Sequence, residues 1–352
     1  MTMWSYPLAF LFSLVLALIL TPLAKWLGNR FGVLDKPGHR KIHDRPIPLT
    51  GGEAVFIALA AALLCFGGPN RFNVGLVIAG LAFILFGLLD DAGLKMRARY
   101  KIWNHLLFSA FFVWFTGVHF SFFHNDLINV LLTVGFMTFM TNSMNMLDGM
   151  DGLDAGVSCL AGLFFAVLAV NSRQADVLLL AAALMGATLG FLRYNFNPAS
   201  IFLGEAGSTF LGFILAVMAI RLNVFGLWDI AVSLNIERLQ LISFIIPLIV
   251  LGIPIFDTYF VFANRFLHRI KFSQAGKDHS HHRIHLMGLS QKATVLTLYS
   301  IEIVLGSVAL AMIQSNLQQF FALLAIVAVF FFGFTVFLSQ VKVYSTPESL
   351  DS

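Results

Sequence analysis

Between Asn142 and Leu153 the chain reads N-S-M-N-M-L-D-G-M-D-G-L, and Asp148, Asp151 and Asp154 follow directly on an apolar run from Ile128 to Met144. Carboxylates beside hydrocarbon are expensive and are kept mainly where they act. Gly149 and Gly152 interleave the acids; glycine lets backbone approach a ligand closely and disfavours a continuing helix. A turn with helix-capping aspartates accounts for the glycines but not for three acids within seven residues. The segment therefore reads as functional.

Three further clusters repeat the theme. Asp90 and Asp91 close an apolar run as L-L-D-D-A-G-L-K, and neighbours on a helix point about 100° apart, so they cannot serve the same partner. Taken alone, this pair is more simply a helix end hydrated at the headgroups. Glu205 stands in N-F-N-P-A-S-I-F-L-G-E-A-G-S from Asn195 to Ser208, where Pro198 breaks the helix; it is equally a cap or an oxygen ligand for a hard cation such as Mg²⁺. His279, His281, His282 and Arg283 lie in K-D-H-S-H-H-R. A His-rich tract can bind zinc, but no thiolates and no H-E-x-x-H pattern accompany it, and binding of a diphosphate fits better. Carboxylates for a divalent ion, cations for phosphate and approach from the bilayer are what phosphoryl transfer needs, because its catalysis is largely positioning and charge neutralisation. Neither G-x-x-x-x-G-K-[ST] nor G-x-G-x-x-G occurs, so ATP- and NAD-type sites have no support.

The elements that must position these groups are membrane helices. The chain of 352 residues is 59% hydrophobic and 11% charged, against about 25% charged in a soluble domain. It is expected to be an all-α polytopic membrane protein. Spans of roughly 20 apolar residues are read at 6–23, 49–66, 72–89, 102–118, 128–144, 155–170, 177–192, 210–222, 239–262, 293–313 and 320–338. The eighth reaches spanning length only if it begins close to Glu205. With eleven spans and the N-terminus outside, the cytoplasmic side holds six Lys/Arg from Lys25 to Arg45, four from Lys95 to Lys101, Arg193, six from Arg265 to Lys292, and Lys342. Only Arg71, Arg173, Arg221 and Arg238 remain outside. This bias sets orientation, with the C-terminus and all four clusters in the cytoplasm. Residues 1–338 are expected to form one transmembrane domain and 339–352 a short cytoplasmic tail. Residues 222–238 form the longest outer loop, and Val224, Phe225, Leu227 and Trp228 suggest a piece lying in the interface. No basic n-region precedes the first span, so a cleaved signal is not expected. Cys65 and Cys159 lie in different runs, and no disulfide is expected.

The motifs resemble those of the polyprenyl-phosphate N-acetylhexosamine-1-phosphate transferases, integral membrane enzymes that start cell-envelope glycan synthesis. The match runs through D-K-P-G-H-R-K-I-H and P-I-P-L-T-G-G at 35–52, L-D-D at 89–91 and N-M-L-D-G-M-D-G-L at 145–153. It continues through F-N-P-A-S-I-F-L-G-E-A-G-S at 196–208, I-P-I-F-D at 253–257 and D-H-S-H-H-R at 278–283. Each motif is weak singly; six in family order are specific. The His-X-His-His spacing is similar to the branch that uses UDP-N-acetylglucosamine (UDP-GlcNAc), whereas the UDP-MurNAc-pentapeptide branch shows a contiguous His triplet.

The resemblance implies attack of a polyprenyl phosphate, such as undecaprenyl phosphate, on the sugar-linked phosphorus of UDP-GlcNAc, giving polyprenyl-diphospho-GlcNAc and UMP. This is the first membrane step toward lipopolysaccharide, teichoic acid or O-antigen. It also implies Mg²⁺ or Mn²⁺ and a site on the cytoplasmic face of the inner membrane. Asp90 would orient or deprotonate the lipid phosphate with support from Asp91; at neutral pH that phosphate is already mostly dianionic. Asp148 and Asp151 would hold nucleotide or metal-linked groups, braced by Asn142 and Asn145. Asn195 and Phe202 would contact uracil, the latter by stacking, while Arg45, His279, His281, His282 and Arg283 would address phosphate or sugar. Glu205, with Asp151, would hold the metal, although the family carries Asp where Glu205 stands. The expected partners are the nucleotide sugar, the lipid phosphate and the bilayer, without nucleic acid; a homodimer stays open. The alternatives are the MurNAc-pentapeptide branch, an ion-coupled transporter with acids near span centres on both sides, and a lipid-binding scaffold that has lost carboxylates.

Overall fold

A computed structural model describes residues 3–37, 44–94, 96–271, 276–341 and 343. The H-R-K-I-H portion of the first motif and nearly all of the expected C-terminal tail lie outside the described residues.

The chain is a helical bundle. Its first half comprises α1 (Ser5–Phe31), α2 (Gly51–Gly67), α3 (Arg71–Leu89, continued by a wide turn over Asp90–Leu94), α4 (Ala98–Thr116) and α5 (Asp126–Leu147). Then come α6 (Leu153–Asn171), α7 (Ala175–Asn195), α8 (Gly204–Arg221), α9 (Trp228–Ser233), α10 (Leu239–Ser243), α11 (Ile245–Val250) and α12 (Gly252–Leu267). The last are α13 (Ser280–Leu286), α14 (Gln291–Ile313) and α15 (Leu317–Ser339). A two-residue ribbon, β1 (Leu34–Asp35) with β2 (Ile47–Pro48), pairs antiparallel between α1 and α2.

Each expected apolar segment falls on a helix, but among the described residues eight helices are long and apolar enough to cross a membrane, and a ninth candidate is broken. α2 has 17 residues, and α4 carries Arg99, Lys101, Asn104 and His105 in its first half. The segment read as one span at 239–262 is α10 to α12, bent by 82° before Gly252. Uniform apolarity hides such a break, because both limbs are hydrophobic. The weak eighth span starts at Gly204 and reaches 18 residues. In the segment 222–238, expected outside, Leu227, Ile230 and Ala231 are buried while Phe225, Trp228 and Val232 are exposed, the two faces an interfacial helix needs.

α8 is the axis of the bundle, buried from Ala206 to Ile220 on every side, whereas α15 is almost wholly exposed. Small residues set the closest packing, as in membrane helix pairs generally. α1 buries a stripe of Ala9, Ser13, Ala17, Thr21, Ala24 and Gly28, and a Cβ on Gly190 of α7 would lie 2.6 Å from the Leu14 carbonyl oxygen. Both described cysteines are free.

Candidate active site

The ends of α3, α5 and α7, the starts of α6, α8, α13 and α14, and the β1–β2 ribbon meet at one end of the bundle. They surround a cavity of about 800 Å³ lined by Asp91, Asn145, Asp148, Asp151, Phe202, Glu205, Arg45 and His282, among others. Eight of the side chains singled out in the sequence thus converge on one space, from segments up to 237 positions apart in the chain.

Asp90 and Asp91 diverge, as their helical spacing requires. Asp91 accepts hydrogen bonds from the backbone N–H groups of Glu205 and Ala206 at 3.1 and 3.2 Å. A helix leaves its first N–H groups unpaired, and Asp91 supplies from α3 the cap that Leu203 lacks. Asp90 accepts from the Met96 N–H at 2.6 Å and from Lys101 Nζ at 2.8 Å. The same ammonium pairs with Glu205 Oε2, while Glu205 Oε1 is buried with no hydrogen-bond partner. Lys101 therefore bridges two acids that the sequence had placed in one site, yet it entered the sequence reading only as a cytoplasmic charge. An ammonium-bearing residue one turn into an apolar helix, close behind a pair of acids, was the signal.

Asp148 follows the last turn of α5 and faces the cavity. Burial, then the negative charges of Asp91, Asp151 and Asp35, push its carboxyl up to about 7. Asp151 is held by the Asn197 amide at 3.0 Å and the Ala199 N–H at 2.8 Å, and Asn197 also donates to Gln291 of α14 at 2.9 Å. Asp154, in the first turn of α6, is buried with neither oxygen hydrogen-bonded.

The bracing residues divide. Asn145 donates to Ser208 Oγ at 3.1 Å and reaches the cavity. Asn142 sits behind it, donating to the Thr138 carbonyl at 2.7 Å and lying 3.2 Å from His105 Nδ1. Asn195, expected beside uracil, is buried: its oxygen accepts from the Gly152 N–H at 3.1 Å and its nitrogen donates to the Ile201 carbonyl at 2.9 Å. It ties the acidic turn to the extended segment carrying Phe202 and does not line the cavity. That segment is fixed in turn, since the Phe202 N–H donates to the Pro48 carbonyl at 2.8 Å and the Gly51 N–H to the Phe202 carbonyl at 2.9 Å.

The histidine cluster is likewise split. Only His282 lines the cavity; burial, then the His279 charge, push its imidazole down to about 4. His281 is fully buried with neither ring nitrogen hydrogen-bonded, and it packs against Gly149, where a Cβ would collide with its Nε2. Burial holds His281 far below the ordinary imidazole range, with His282 adding to the effect. His279 Nδ1 lies 2.7 Å from Asp257 Oδ2, and although burial opposes the charged form, Asp257 outweighs it and raises His279 above its ordinary range. Arg283 is buried away from the cavity. Its guanidinium donates to the carbonyls of Asp278, Leu338 and Val341 at 3.2, 3.1 and 2.9 Å and lies over the Phe260 ring.

No three His, Cys, Asp or Glu side chains among the described residues form a ready metal cluster. The oxygen-rich wall of Asp91, Asp148, Asp151 and Glu205 nevertheless suits a hard cation. Mg²⁺ commonly takes one or two carboxylates together with substrate phosphates and water, and the unpaired Glu205 Oε1 is a donor of that kind.

The family model described as glycosyl transferase family 4 matches residues 73–223. A probable undecaprenyl-phosphate N-acetylglucosaminyl 1-phosphate transferase of Bacillus subtilis is 33% identical over 332 residues, 92% of this chain and 89% of the relative. A decaprenyl-phosphate N-acetylglucosaminephosphotransferase of Mycolicibacterium smegmatis is 28% identical, covering 78% and 73%. A phospho-N-acetylmuramoyl-pentapeptide-transferase of Caldicellulosiruptor bescii is 27% identical, covering 87% and 96%. With the acidic motifs gathered around one cavity and near-complete alignment to such a relative, the chain belongs to glycosyl transferase family 4, the polyprenyl-phosphate N-acetylhexosamine-1-phosphate transferases.

Proposed function

We propose that the protein transfers GlcNAc-1-phosphate from UDP-GlcNAc to a polyprenyl phosphate, releasing UMP. The observation that carries this reading is the single cavity in which like-charged Asp91, Asp148, Asp151 and Glu205 face Arg45 and His282. A phosphate oxygen of the lipid bonds to the sugar-linked phosphorus as the bond from that phosphorus to the bridging oxygen breaks, and UMP leaves with that oxygen. Phe202 would stack on uracil, Arg45 and His282 would address the diphosphate, and Asp151, fixed by Asn197 and Ala199, would position nucleotide or cation. Glu205 and Asp151 would hold Mg²⁺ or Mn²⁺, which when bound supplies positive charge to the diphosphate. Asp90 would orient the lipid phosphate, with Lys101 as the shared counter-charge of Asp90 and Glu205.

The same reading places the cavity on the cytoplasmic face of the inner membrane, with the N-terminus outside and eleven crossings once α2 and α4 are counted. Eighteen of the 22 Lys and Arg fall in the sequence segments that this topology assigns to the cytoplasm, in support. The test is UMP release by the purified protein, expected only when UDP-GlcNAc, a polyprenyl phosphate and Mg²⁺ or Mn²⁺ are all present. Turnover with UDP-MurNAc-pentapeptide and none with UDP-GlcNAc would overturn the donor assignment.

A further inference from the structure

α12 carries two buried charges eight residues apart, Asp257 and Arg265, and both engage the segment that leads into α13. Asp257 Oδ2 meets His279 Nδ1 at 2.7 Å, and its Oδ1 accepts the Ser280 N–H at 2.7 Å and the Ser280 hydroxyl at 2.6 Å. Arg265 donates from Nε and an amino group to the two oxygens of Asp278 at 2.6 and 2.8 Å. The two pairs are of opposite polarity. In one the carboxylate belongs to the helix and the cation to the loop; in the other the assignment is reversed, and the loop residues involved, Asp278 and His279, are consecutive.

We propose that Asp257 and Arg265 are positioning residues that act on the transfer through the loop, fixing α13 so that His282 projects into the cavity and His281 seats on Gly149. Neither residue lines the cavity. A shift of the loop by one residue would set Asp278 opposite Asp257, so the alternating charges admit one register only. Removing one partner of a buried pair leaves an uncompensated charge, which gives the register its selectivity. The Asp257 carboxylate also caps the first turn of α13, whose His279 N-cap position has no side-chain cap of its own. The clamp thereby joins the limb beyond the 82° break to the acidic turn at Gly149.

This inference rests on the proposed transfer for its catalytic consequence, but not for its structural one, and the experiment separates the two. In purified full-length protein, amide exchange across residues 278–286 is expected to accelerate about tenfold in Asp257→Asn and in Arg265→Lys, with α8 unchanged. In the UMP-release assay each variant should lower kcat/KM for UDP-GlcNAc, by about tenfold for Asp257→Asn. Combined with His282→Ala, neither should lower it further, because groups acting as one unit are non-additive. Unchanged exchange, or losses that multiply with His282→Ala, would overturn the clamp. If Asp257→Asn does not accumulate, Arg265→Lys decides by the same two readouts. Wild-type protein that releases no UMP sinks the proposed reaction, and the clamp is then decided by exchange alone.

Discussion

The acidic wall of the cavity and the clamp behind it treat charge in opposite ways. In the clamp every carboxylate has a cation: Asp257 faces His279, and Asp278 faces Arg265. In the wall Asp91, Asp148, Asp151 and Glu205 crowd together, and Lys101 neutralises only its outer edge, at Glu205 and Asp90. Compensated charge fixes a loop in one register; under the proposed transfer, the like charge of the wall is what a cation from outside would offset. The contrast would then separate residues that build the site from those that meet substrate, and it can be broken experimentally on either side.

The largest effect is expected in the wall. Asp148→Asn and Asp151→Asn should each reduce kcat by about 10² to 10³, the range seen when one preorganised electrostatic group is lost, with the protein still folded. Near wild-type turnover in either variant would remove that residue from the chemistry. Lys101→Ala should follow, with a loss of about tenfold to a hundredfold, because it leaves Asp90 and Glu205 facing each other without their shared counter-ion. Lys101→Arg should recover part of the activity; equal losses in both would mean that geometry rather than charge is needed.

A smaller effect belongs to Glu205. Glu205→Gln should raise the Mg²⁺ concentration for half-maximal activity by about tenfold, since an amide oxygen carries no charge. Glu205→Asp should stay near wild type. An unshifted Mg²⁺ requirement in Glu205→Gln would leave Glu205 as a cap of α8.

The smallest effect concerns pH. Asp148 binds its proton more tightly folded, up to about 7, than at the ordinary carboxylate value of 3.8. Its contribution to stability is therefore complete below about 3.8 and is lost as pH rises toward 7. In metal-free buffer the apparent melting temperature should fall over that window, and Asp148→Asn should flatten the slope. An unchanged slope would place the titration on another group.

The helices were legible because hydropathy alone marks a span, but the start of α8 was not, because G-E-A-G-S interrupts the apolar run and yet forms the first turn of the helix from Gly204. The break before Gly252 was passed over because hydropathy runs unbroken through both limbs, although Gly252 and Pro254 mark it. The acids and His282 were recognised from type and spacing. Spacing could not say that Asn195 and Arg283 turn inward to satisfy backbone groups, because a buried amide and a ligand-binding amide look alike in sequence. Lys101 was hidden among charges that the positive-inside rule already explained. Asp257, a lone acid in the apolar segment 239–262, stood in a quoted motif without a role, although an acid so placed demands a partner.

In the proposed reaction the sugar moves together with its own phosphate. Supplying UDP-GlcNAc labelled at the phosphorus attached to GlcNAc, with polyprenyl phosphate and Mg²⁺, follows that phosphate. All transferred label is expected in the lipid fraction as a diphosphate and none in the UMP released. Label retained in UDP, or recovered as free GlcNAc-1-phosphate, would contradict it: the first would mean transfer of the sugar alone, the second attack by water in place of the lipid.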